Sequence, residues 1–244
     1  MADLDFIVPD WPVPAGVRAA VSLRPGGTSA GRYASFNLGD HVGDEPAAVA
    51  ANRARLRTAL GLPAEPLWLE QVHGTEVAHF GGEARPRADA SIAVQSGQVC
   101  AVMVADCLPV LLADREAACV AAVHAGWRGL VAGVIERTVE ALPVPPSRLV
   151  AWLGPAIGPD AFEVGPEVRQ TFLSLDAATA GDFRPGAGDR WFADIFSLAR
   201  RRLARLGVGD VYGGGLCTVS DPSRFFSYRR DGVTGRLAAL VWKE

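Results

Sequence analysis

The segment VCAVMVADCLPVLLADREAACVAAVHAGWRGLVAGVIERTVEA (99–141) predicts much of the architecture. It contains three short apolar runs separated by polar turns, and these are followed by a glycine loop and an amphipathic stretch. Apolar runs of this length, bounded by turn residues, are typical of strands that are covered on both faces. We therefore predict three strands, a glycine loop, and a helix that runs from about Leu130 until Pro143 ends it.

Apolar runs on either side of this segment predict further strands. They are VRAAVSL (17–23), PLWLEQV (66–72), RLVAWLG (148–154) and LAALVW (237–242). Three more helices have recognisable ends: one is capped by Asp44 and terminated by Gly61, one is opened by Pro166, and one is capped by Asp194. Strands occur both as hairpin neighbours and in alternation with helices, which predicts an α+β fold with mixed sheets.

Composition limits the class of protein. The chain has 244 residues, of which 49% are hydrophobic and 21% charged, and its formal net charge is −3. This length can bury a substantial core, and no Gly/Pro-rich stretch is long enough to link two domains. We therefore predict one domain over residues 1–244. A slightly acidic balance is not that of a general nucleic-acid-binding protein.

The sequence also predicts the compartment. No run of about 18 apolar residues without a charge is present, so we expect no membrane span. The N-terminal stretch MADLDFIVPDWPVPAG (1–16) lacks the basic start and apolar run of a signal peptide. The cysteines Cys100, Cys107, Cys119 and Cys217 form no CxxC pair. Free thiols in a reducing cytoplasm are therefore the expectation.

Three residues with reactive side chains fall at predicted strand ends. Cys107 lies at the sharp turn after the first strand of the central segment, His124 ends the third strand, and His73 follows the apolar run 66–72. Rigid scaffolds present reactive groups at such positions, although a lone Cys or His is more often an ordinary core or surface residue. Together the three would form a His₂Cys set with an open fourth position, as in catalytic zinc sites.

The same residues permit other chemistry. A His₂Cys set also suits blue copper, which usually adds an axial Met, but Met103 lies about 13 Å from Cys107 along an extended strand. Copper could still occupy the site, because its intrinsic affinity exceeds that of zinc. Alternatively, Cys107 is a nucleophile with His124 as its base. A third interpretation is structural zinc in a binding protein, which needs a fourth ligand such as Asp106 or His41.

An anion site is predicted beside these residues. The loop HAGWRG (124–129) leads into a helix, whose free N–H groups favour an anion, and Arg128 adds a guanidinium suited to phosphate. The segment RFFSYRRDG (224–232) places aromatic side chains beside Arg229, and it could hold a ring and an anion or form a hairpin at its Asp-Gly turn. Arg128 is thus the first predicted anion-binding residue and Arg229 the second.

Eight segments carry a resemblance to a known family. They are RPGGTS (24–29), SFNLGDHVGDEPAAVAANR (35–53), QVHGTEV (71–77), ADCLPVLL (105–112), HAGWRG (124–129), LGPAIGP (153–159), FEVGPEV (162–168) and FFSYRRDGVTGR (225–236). In these segments the chain resembles the YfiH-like family, also called the multicopper polyphenol oxidoreductase or laccase-domain family. The resemblance implies a four-layer α/β/β/α fold with two mixed sheets, and zinc bound by His73, Cys107 and His124.

The resemblance implies several activities. One is phosphorolysis of adenosine, inosine, guanosine and methylthioadenosine, with adenosine deamination. The others are an editing hydrolase for mis-aminoacylated peptidoglycan precursors and a copper-dependent polyphenol oxidase. Ordinary multicopper oxidases use about ten histidines for four coppers, whereas this chain has four. The count argues against four-copper chemistry, and of the remaining activities we predict the one that the resemblance implies, a zinc-dependent purine nucleoside phosphorylase and adenosine deaminase. Its partners are a nucleoside and phosphate. Phe225, Phe226 or Tyr228 could stack on the base, with packing in the core as the alternative for the two phenylalanines.

Overall fold

The computed structural model describes residues 4–244, so the first three residues of the N-terminal stretch 1–16 lie outside the described part. Within residues 4–244 the strands are β1 (Phe6–Ile7), β2 (Val17–Ser22), β3 (Val77–His79), β4 (Ala90–Ala93), β5 (Val99–Val104), β6 (Leu108–Asp114), β7 (Val120–Ala125), β8 (Leu149–Leu153), β9 (Glu163–Val164), β10 (Phe183–Pro185), β11 (Trp191–Ala193), β12 (Asp210–Gly213) and β13 (Leu237–Lys243). The helices are α1 (Pro46–Leu60), α2 (Trp127–Ala132), α3 (Val134–Ala141), α4 (Pro166–Leu175), α5 (Ile195–Arg205) and α6 (Tyr228–Asp231), with 3₁₀ turns at Gly31–Tyr33, Pro146–Arg148 and Ala177–Asp182.

The strands form two large sheets and one small one. The six-stranded sheet has the order β12-β8-β6-β7-β4-β3 and is mixed, since β12 runs parallel to β8 and β3 runs parallel to β4. The four-stranded sheet, β1-β2-β13-β5, is antiparallel, and β10-β11-β9 form a small antiparallel sheet. The α+β class is confirmed, and of the two large sheets in the described chain the six-stranded one is mixed.

Side-chain alternation along the strands builds the layers. The space between the large sheets is filled from both sides, by residues such as Val102 and Val241 from one sheet and Leu111 and Ala122 from the other. The outer face of the four-stranded sheet packs on α1 through Leu56, and the outer face of the six-stranded sheet packs on α3 and α5. Both faces of β5, β6 and β7 are therefore buried, which explains their continuously apolar sequences.

The predicted strand 66–72 does not join a sheet as a ladder. It makes one parallel bridge, between Leu67 and Cys100. Further along, the side-chain amide of Gln71 replaces main-chain pairing: its Nε2 donates to the Met103 carbonyl at 2.8 Å, and its Oε1 accepts from the Met103 N–H at 2.7 Å. Because the Gln71 side chain satisfies both backbone groups of Met103, main-chain pairing with β5 does not extend to that residue. The prediction of a strand was therefore wrong.

Capping residues near the helix ends determine where α5 begins and where α1 ends. Asp194 caps α5, its side chain accepting two backbone N–H groups of the first turn at 3.0 Å. Gly61 ends α1 in a left-handed conformation. The predicted cap Asp44 is wrong: the N-cap of α1 is Glu45, and the Asp44 side chain accepts from the Glu45 N–H and from Asn37 Nδ2 at 2.9 Å.

The helix predicted from Leu130 is two helices. The first, α2, begins three residues earlier, at Trp127, and has six residues. Gly133, with φ of 96°, separates it from α3, and the Gly133 N–H donates to the Gly129 carbonyl. A left-handed residue cannot continue a right-handed helix, so this glycine breaks a pattern that is otherwise helical. Within residues 4–244, no helix combines the length and apolar character that a membrane crossing needs.

Candidate metal centre

The structure brings His73, Cys107 and His124 together at one end of the six-stranded sheet. Cys107 immediately precedes β6, and His124 lies on the neighbouring antiparallel strand β7, opposite Pro109. His73 reaches them from the loop before β3. The three ligand atoms all lie within 4.8 Å of one another, and Cys107 Sγ lies 3.6 Å from His73 Nε2. The two imidazole rings meet edge to face with centroids 4.8 Å apart.

This donor set fits a metal ion. Zn–N bonds of about 2.0–2.1 Å and Zn–S bonds of about 2.3 Å put tetrahedral ligand atoms roughly 3.3–3.8 Å apart, so small side-chain shifts would complete the site. In the described chain neither Asp106 nor His41 belongs to the group. Both Asp106 oxygens are engaged, by the Thr218 hydroxyl at 2.5 Å and the Arg229 N–H at 2.6 Å. The fourth ligand of a closed structural site does not come from these two residues.

Gly126 gives the glycine loop room beside the cluster. A Cβ atom on this residue would lie 2.8 Å from Cys107 Sγ and 3.0 Å from His73 Cδ2. Real Cβ contacts are essentially never as short as 2.8 Å and are rarely as short as 3.0 Å, so a larger residue must displace Cys107 and crowd His73. The φ of −60° is open to any residue, so the space around the ligands, and not the backbone conformation, requires a glycine here.

We expect Gly126→Ala to weaken zinc binding by at least about tenfold, because the added methyl group displaces the Cys107 sulfur and crowds the His73 ring. Competition with a chromophoric chelator measures the affinity, and a thermal melt checks the fold. Gly209→Ala is the matched control, since a Cβ there meets no atom within 4 Å. Wild-type zinc affinity in Gly126→Ala would contradict the assignment of these ligands.

Asp89 connects two ligand-bearing segments, and the sequence did not single it out. Its side chain is fully buried, and its Oδ1 lies 2.8 Å from Nδ1 of His124. Its oxygens also accept the backbone N–H groups of Val72, His73 and Gly74 at 3.1, 2.9 and 2.6 Å. A carboxylate on Nδ1 leaves Nε2 of His124 free for a metal and fixes the orientation of the ring.

Two non-glycine residues beside the site adopt left-handed conformations. The φ of His73 is 60° and that of Asp106 is 93°, values that are uncommon for residues with a side chain. Hydrogen bonds hold both: the His73 N–H donates to Asp89, and Asp106 accepts from the Arg229 N–H. Such conformations persist where the surroundings hold them. Here they aim His73 and the neighbouring Cys107 at one point.

Cys107 and His124 form a charged pair. Burial opposes ionisation of the Cys107 thiol, but the charge of His124 and hydrogen bonds from His124 and His73 lower its pKa to about 6. Burial also opposes protonation of His124, but the Cys107 thiolate and the Asp89 carboxylate raise its pKa to about 9. At neutral pH the sulfur is therefore a thiolate, the form that binds metals and attacks electrophiles.

A cavity of about 510 Å³ opens over these residues. This volume is typical of small-molecule sites. Both predicted cations line it. Arg128 is exposed and its guanidinium stacks on the Trp127 ring at 4.5 Å. Arg229 is also exposed, and its Nη1 donates to the carbonyls of Ala161 and Glu163 at 3.2 and 3.1 Å. Since α2 has only six residues, these side chains rather than a helix terminus give the cavity its positive charge.

The segment 224–232 does not form the predicted hairpin. It ends in the short helix α6, capped by the Ser227 side chain. Phe225 and Phe226 are fully buried in the core, so of the two alternatives for these residues core packing is the correct one and stacking on a base is not. Tyr228 is 61% exposed and lines the cavity. It is therefore the aromatic residue of this segment that a bound ring can reach.

The chain belongs to the multi-copper polyphenol oxidoreductase laccase family, whose model matches residues 18–244. It is 55% identical over 239 residues to purine nucleoside phosphorylase YfiH of Shigella flexneri, covering 97% of this chain and 98% of that protein. It is 54% identical to the Escherichia coli (strain K12) protein of the same name, with the same coverage.

Solved structures share the fold. A Neisseria meningitidis protein gives a TM-score of 0.94 at 48% identity, over 98% of this chain and 99% of that chain. YlmD from Geobacillus stearothermophilus gives a TM-score of 0.87 at 30% identity, over 94% of this chain and 93% of that chain. The family membership predicted from the sequence is confirmed.

Proposed function

We propose that the protein is a zinc-dependent purine nucleoside phosphorylase that also deaminates adenosine. The observation that carries the proposal is the convergence of His73, Cys107 and His124 in a cavity of a size suited to a nucleoside. Relatives at 55% and 54% identity bear the name purine nucleoside phosphorylase. The substrates are phosphate and a purine nucleoside, namely adenosine, inosine, guanosine or methylthioadenosine, and the products are the free base and ribose 1-phosphate.

His73, Cys107 and His124 hold the metal in this proposal, and Asp89 orients His124. Zinc held there would supply a Lewis acid that can activate water for deamination. Copper at the same residues would be an alternative occupant rather than the basis of four-copper oxidase chemistry, because the chain has four histidines. All four cysteines are free thiols, which supports the proposal that the enzyme works in a reducing cytoplasm.

In phosphorolysis the other residues of the cavity have separate roles, which follow from the bonds that break and form. The bond between C1′ of the ribose and the base breaks, a bond from C1′ to a phosphate oxygen forms, and the base takes up a proton. Positive charge develops on the ribose, and an adjacent phosphate dianion stabilises it. We assign Arg128 and Arg229 to the phosphate and the exposed Tyr228 ring to the purine. His41 faces the cavity outside the ligand set and can donate to the departing base.

Product analysis with adenosine, in the presence and absence of phosphate, tests the proposal. Zinc-loaded protein should form adenine and ribose 1-phosphate only with phosphate present, and inosine under both conditions. Absence of ribose 1-phosphate in the complete reaction would overturn the phosphorylase assignment.

We expect Arg128→Gln to raise KM for phosphate by about tenfold and to leave zinc content and deamination unchanged, since a hydrogen bond to a charged group is lost. The matched control is Arg137→Gln, because Arg137 is exposed on α3 and pairs only weakly, at 3.5 Å, with Glu140. Steady-state kinetics with varied phosphate measure the effect. Equal loss of phosphorolysis and deamination would mean that Arg128 supports the metal centre and not the phosphate.

A second candidate function is a cysteine hydrolase, such as an enzyme that edits mis-aminoacylated peptidoglycan precursors. The observation that favours it is the order Cys107, His124, Asp89: a thiolate of lowered pKa, an imidazole beside it, and a buried carboxylate 2.8 Å from its Nδ1. These are the parts of a nucleophile, a base and an orienting group. Cys107 would attack a carbonyl carbon, His124 would protonate the leaving group as its bond to that carbon breaks, and water would then hydrolyse the thioester and restore the thiolate. Bound metal blocks this mechanism, because it occupies the thiolate.

The pH dependence of the alkylation rate of Cys107 measures the pKa of its thiol. In metal-free protein, alkylation of Cys107 by iodoacetamide should rise with pH around a midpoint near 6 and stay level above it, because the thiolate is already formed there. Peptide mass spectrometry gives the rate, and zinc-loaded protein is the control in which the sulfur is protected. A midpoint near 9, the ordinary value for a thiol, would contradict the charged pair.

A further inference from the structure

The cavity contains a third arginine, Arg236, which the sequence analysis did not assign. It lies between α6 and β13, and the loop 37–39 holds it. Its backbone N–H donates to Asn37 Oδ1 at 2.8 Å, and its carbonyl accepts the Leu38 N–H at 3.1 Å. Its side-chain stem passes directly over Gly39, where a Cβ atom would lie 2.7 Å from Arg236 Cγ. The position of this side chain is therefore fixed by backbone contacts and close packing.

The Arg236 guanidinium is only partly used. Its Nη1 donates to the carbonyls of Thr234 and Gly235 at 3.0 and 3.1 Å. Among residues 4–244, its Nε and Nη2 have no hydrogen-bond partner, and no carboxylate forms an ion pair with it. The anionic groups whose charge acts on it are Cys107 and Asp106. Because Nη1 is held by two carbonyls and Nε and Nη2 are free, this guanidinium can donate two hydrogen bonds to one anion.

The charges of the cavity also favour an anion. Its wall carries Arg128, Arg229 and Arg236 against the Asp106 carboxylate and the Cys107 thiolate, and a divalent ion on the ligand set would add two positive charges. Burial lowers the pKa of Arg236, while the negative charges of Cys107 and Asp106 oppose that shift, so the desolvation of the guanidinium is only partly compensated. A bound anion would add to that compensation.

We infer that Arg236 is the anchoring residue of a subsite for inorganic phosphate in this cavity. The inference rests on the proposed phosphorylase function and deepens it. Of the three arginines, Arg128 is exposed and lies on a tryptophan ring, and Arg229 is exposed as well. Arg236 is the half-buried one whose position does not depend on the ligand. Because little side-chain freedom remains to be lost, it can bind phosphate before the nucleoside arrives.

Calorimetric titration of inorganic phosphate into zinc-loaded protein, without nucleoside, tests the subsite. We expect Arg236→Gln to weaken phosphate binding by about tenfold or more, and Arg236→Lys to fall between it and the wild type, because a point charge replaces the planar fork. Arg137→Gln should bind as the wild type does. Unchanged phosphate affinity in Arg236→Gln, or no phosphate binding by the wild type, would overturn the inference.

A second variant acts on the position of Arg236 without removing it. Gly39→Ala places a methyl group against its stem and should weaken phosphate binding in the same direction, while the affinity for inosine without phosphate stays within about twofold. Zinc content and the thermal melt check both variants for folding. A nucleoside 5′-monophosphate forms a parallel arm: if its binding depends on Arg236 and that of inorganic phosphate does not, the inference is wrong.

Failure of the subsite and failure of the function give different results. If phosphate binding depends on Arg236 but no ribose 1-phosphate forms from any nucleoside, the subsite stands and the phosphorylase assignment falls. If ribose 1-phosphate forms and Arg236→Gln retains the wild-type KM for phosphate, the function stands and the subsite falls.

Discussion

Cys107→Ala is expected to abolish metal binding and to lower the rate of phosphorolysis by about 10³-fold or more, while the fold is retained. The substitution removes the thiolate and leaves two imidazoles, which do not make a three-ligand site. Loss of a Lewis acid worth several kcal/mol of transition-state stabilisation corresponds to a rate effect of about this size. The fold should survive, because Cys107 lies in the turn before β6 and is only partly buried.

The matched control is another partly buried free thiol. Cys217 accepts the Gly158 N–H at 3.2 Å, and Cys217→Ser keeps an acceptor there, so it should retain metal and activity. Elemental analysis gives the metal content and circular dichroism the melting temperature. If Cys107→Ala unfolds globally, the site is structural, and if it retains zinc and turnover, Cys107 is not a ligand.

Asp89→Asn has the second largest expected effect. We expect zinc affinity to fall by about 10–100-fold, because the carboxylate that orients His124 is lost. The free energy of unfolding should fall by about 3 kcal/mol, since an amide cannot accept from the His124 ring and all three backbone N–H groups at once, and buried donors are left unpaired. Chelator competition and urea unfolding measure the two quantities.

A second buried carboxylate provides a control that distinguishes the effect of orienting His124 from a general effect on protein stability. Asp114 is also fully buried, and its oxygens accept from Arg148 at 2.8 and 2.6 Å. It ends β6, about 20 Å along the strand from the metal centre. Asp114→Asn should lose a similar amount of stability and keep wild-type zinc affinity. Equal zinc affinities in the two variants would reduce Asp89 to a structural role.

Sequence patterns correctly predicted helix ends that depend on a single nearby residue. Gly61 ends α1 and Asp194 caps α5 because each acts within its own turn. The break at Gly133 was not predicted, because apolar residues at helical spacing continue on both sides of it and conceal the left-handed residue. The strand at 66–72 was wrong for a long-range reason, since the Gln71 side chain occupies the edge of β5.

His73, Cys107 and His124 could be chosen as candidate ligands because their residue types are scarce and they were predicted at strand ends, and the family resemblance supplied the expectation that they converge. Asp89 could not be predicted, because its partners lie 15 and 35 positions away in the sequence and nothing near it distinguishes it from other aspartates. Gly126 and Arg236 were missed for the same reason. The role of each depends on atoms from another loop, which only the folded chain brings near.

Titration of zinc into metal-free protein in the presence of inosine and phosphate tests the central claim most directly. The ribose 1-phosphate formed per minute should rise in proportion to bound zinc, level off at one zinc per chain, as expected for one His₂Cys site, and fall to zero when phosphate is omitted. Ribose 1-phosphate formation at full rate without metal, or hypoxanthine released with free ribose instead, would contradict the account.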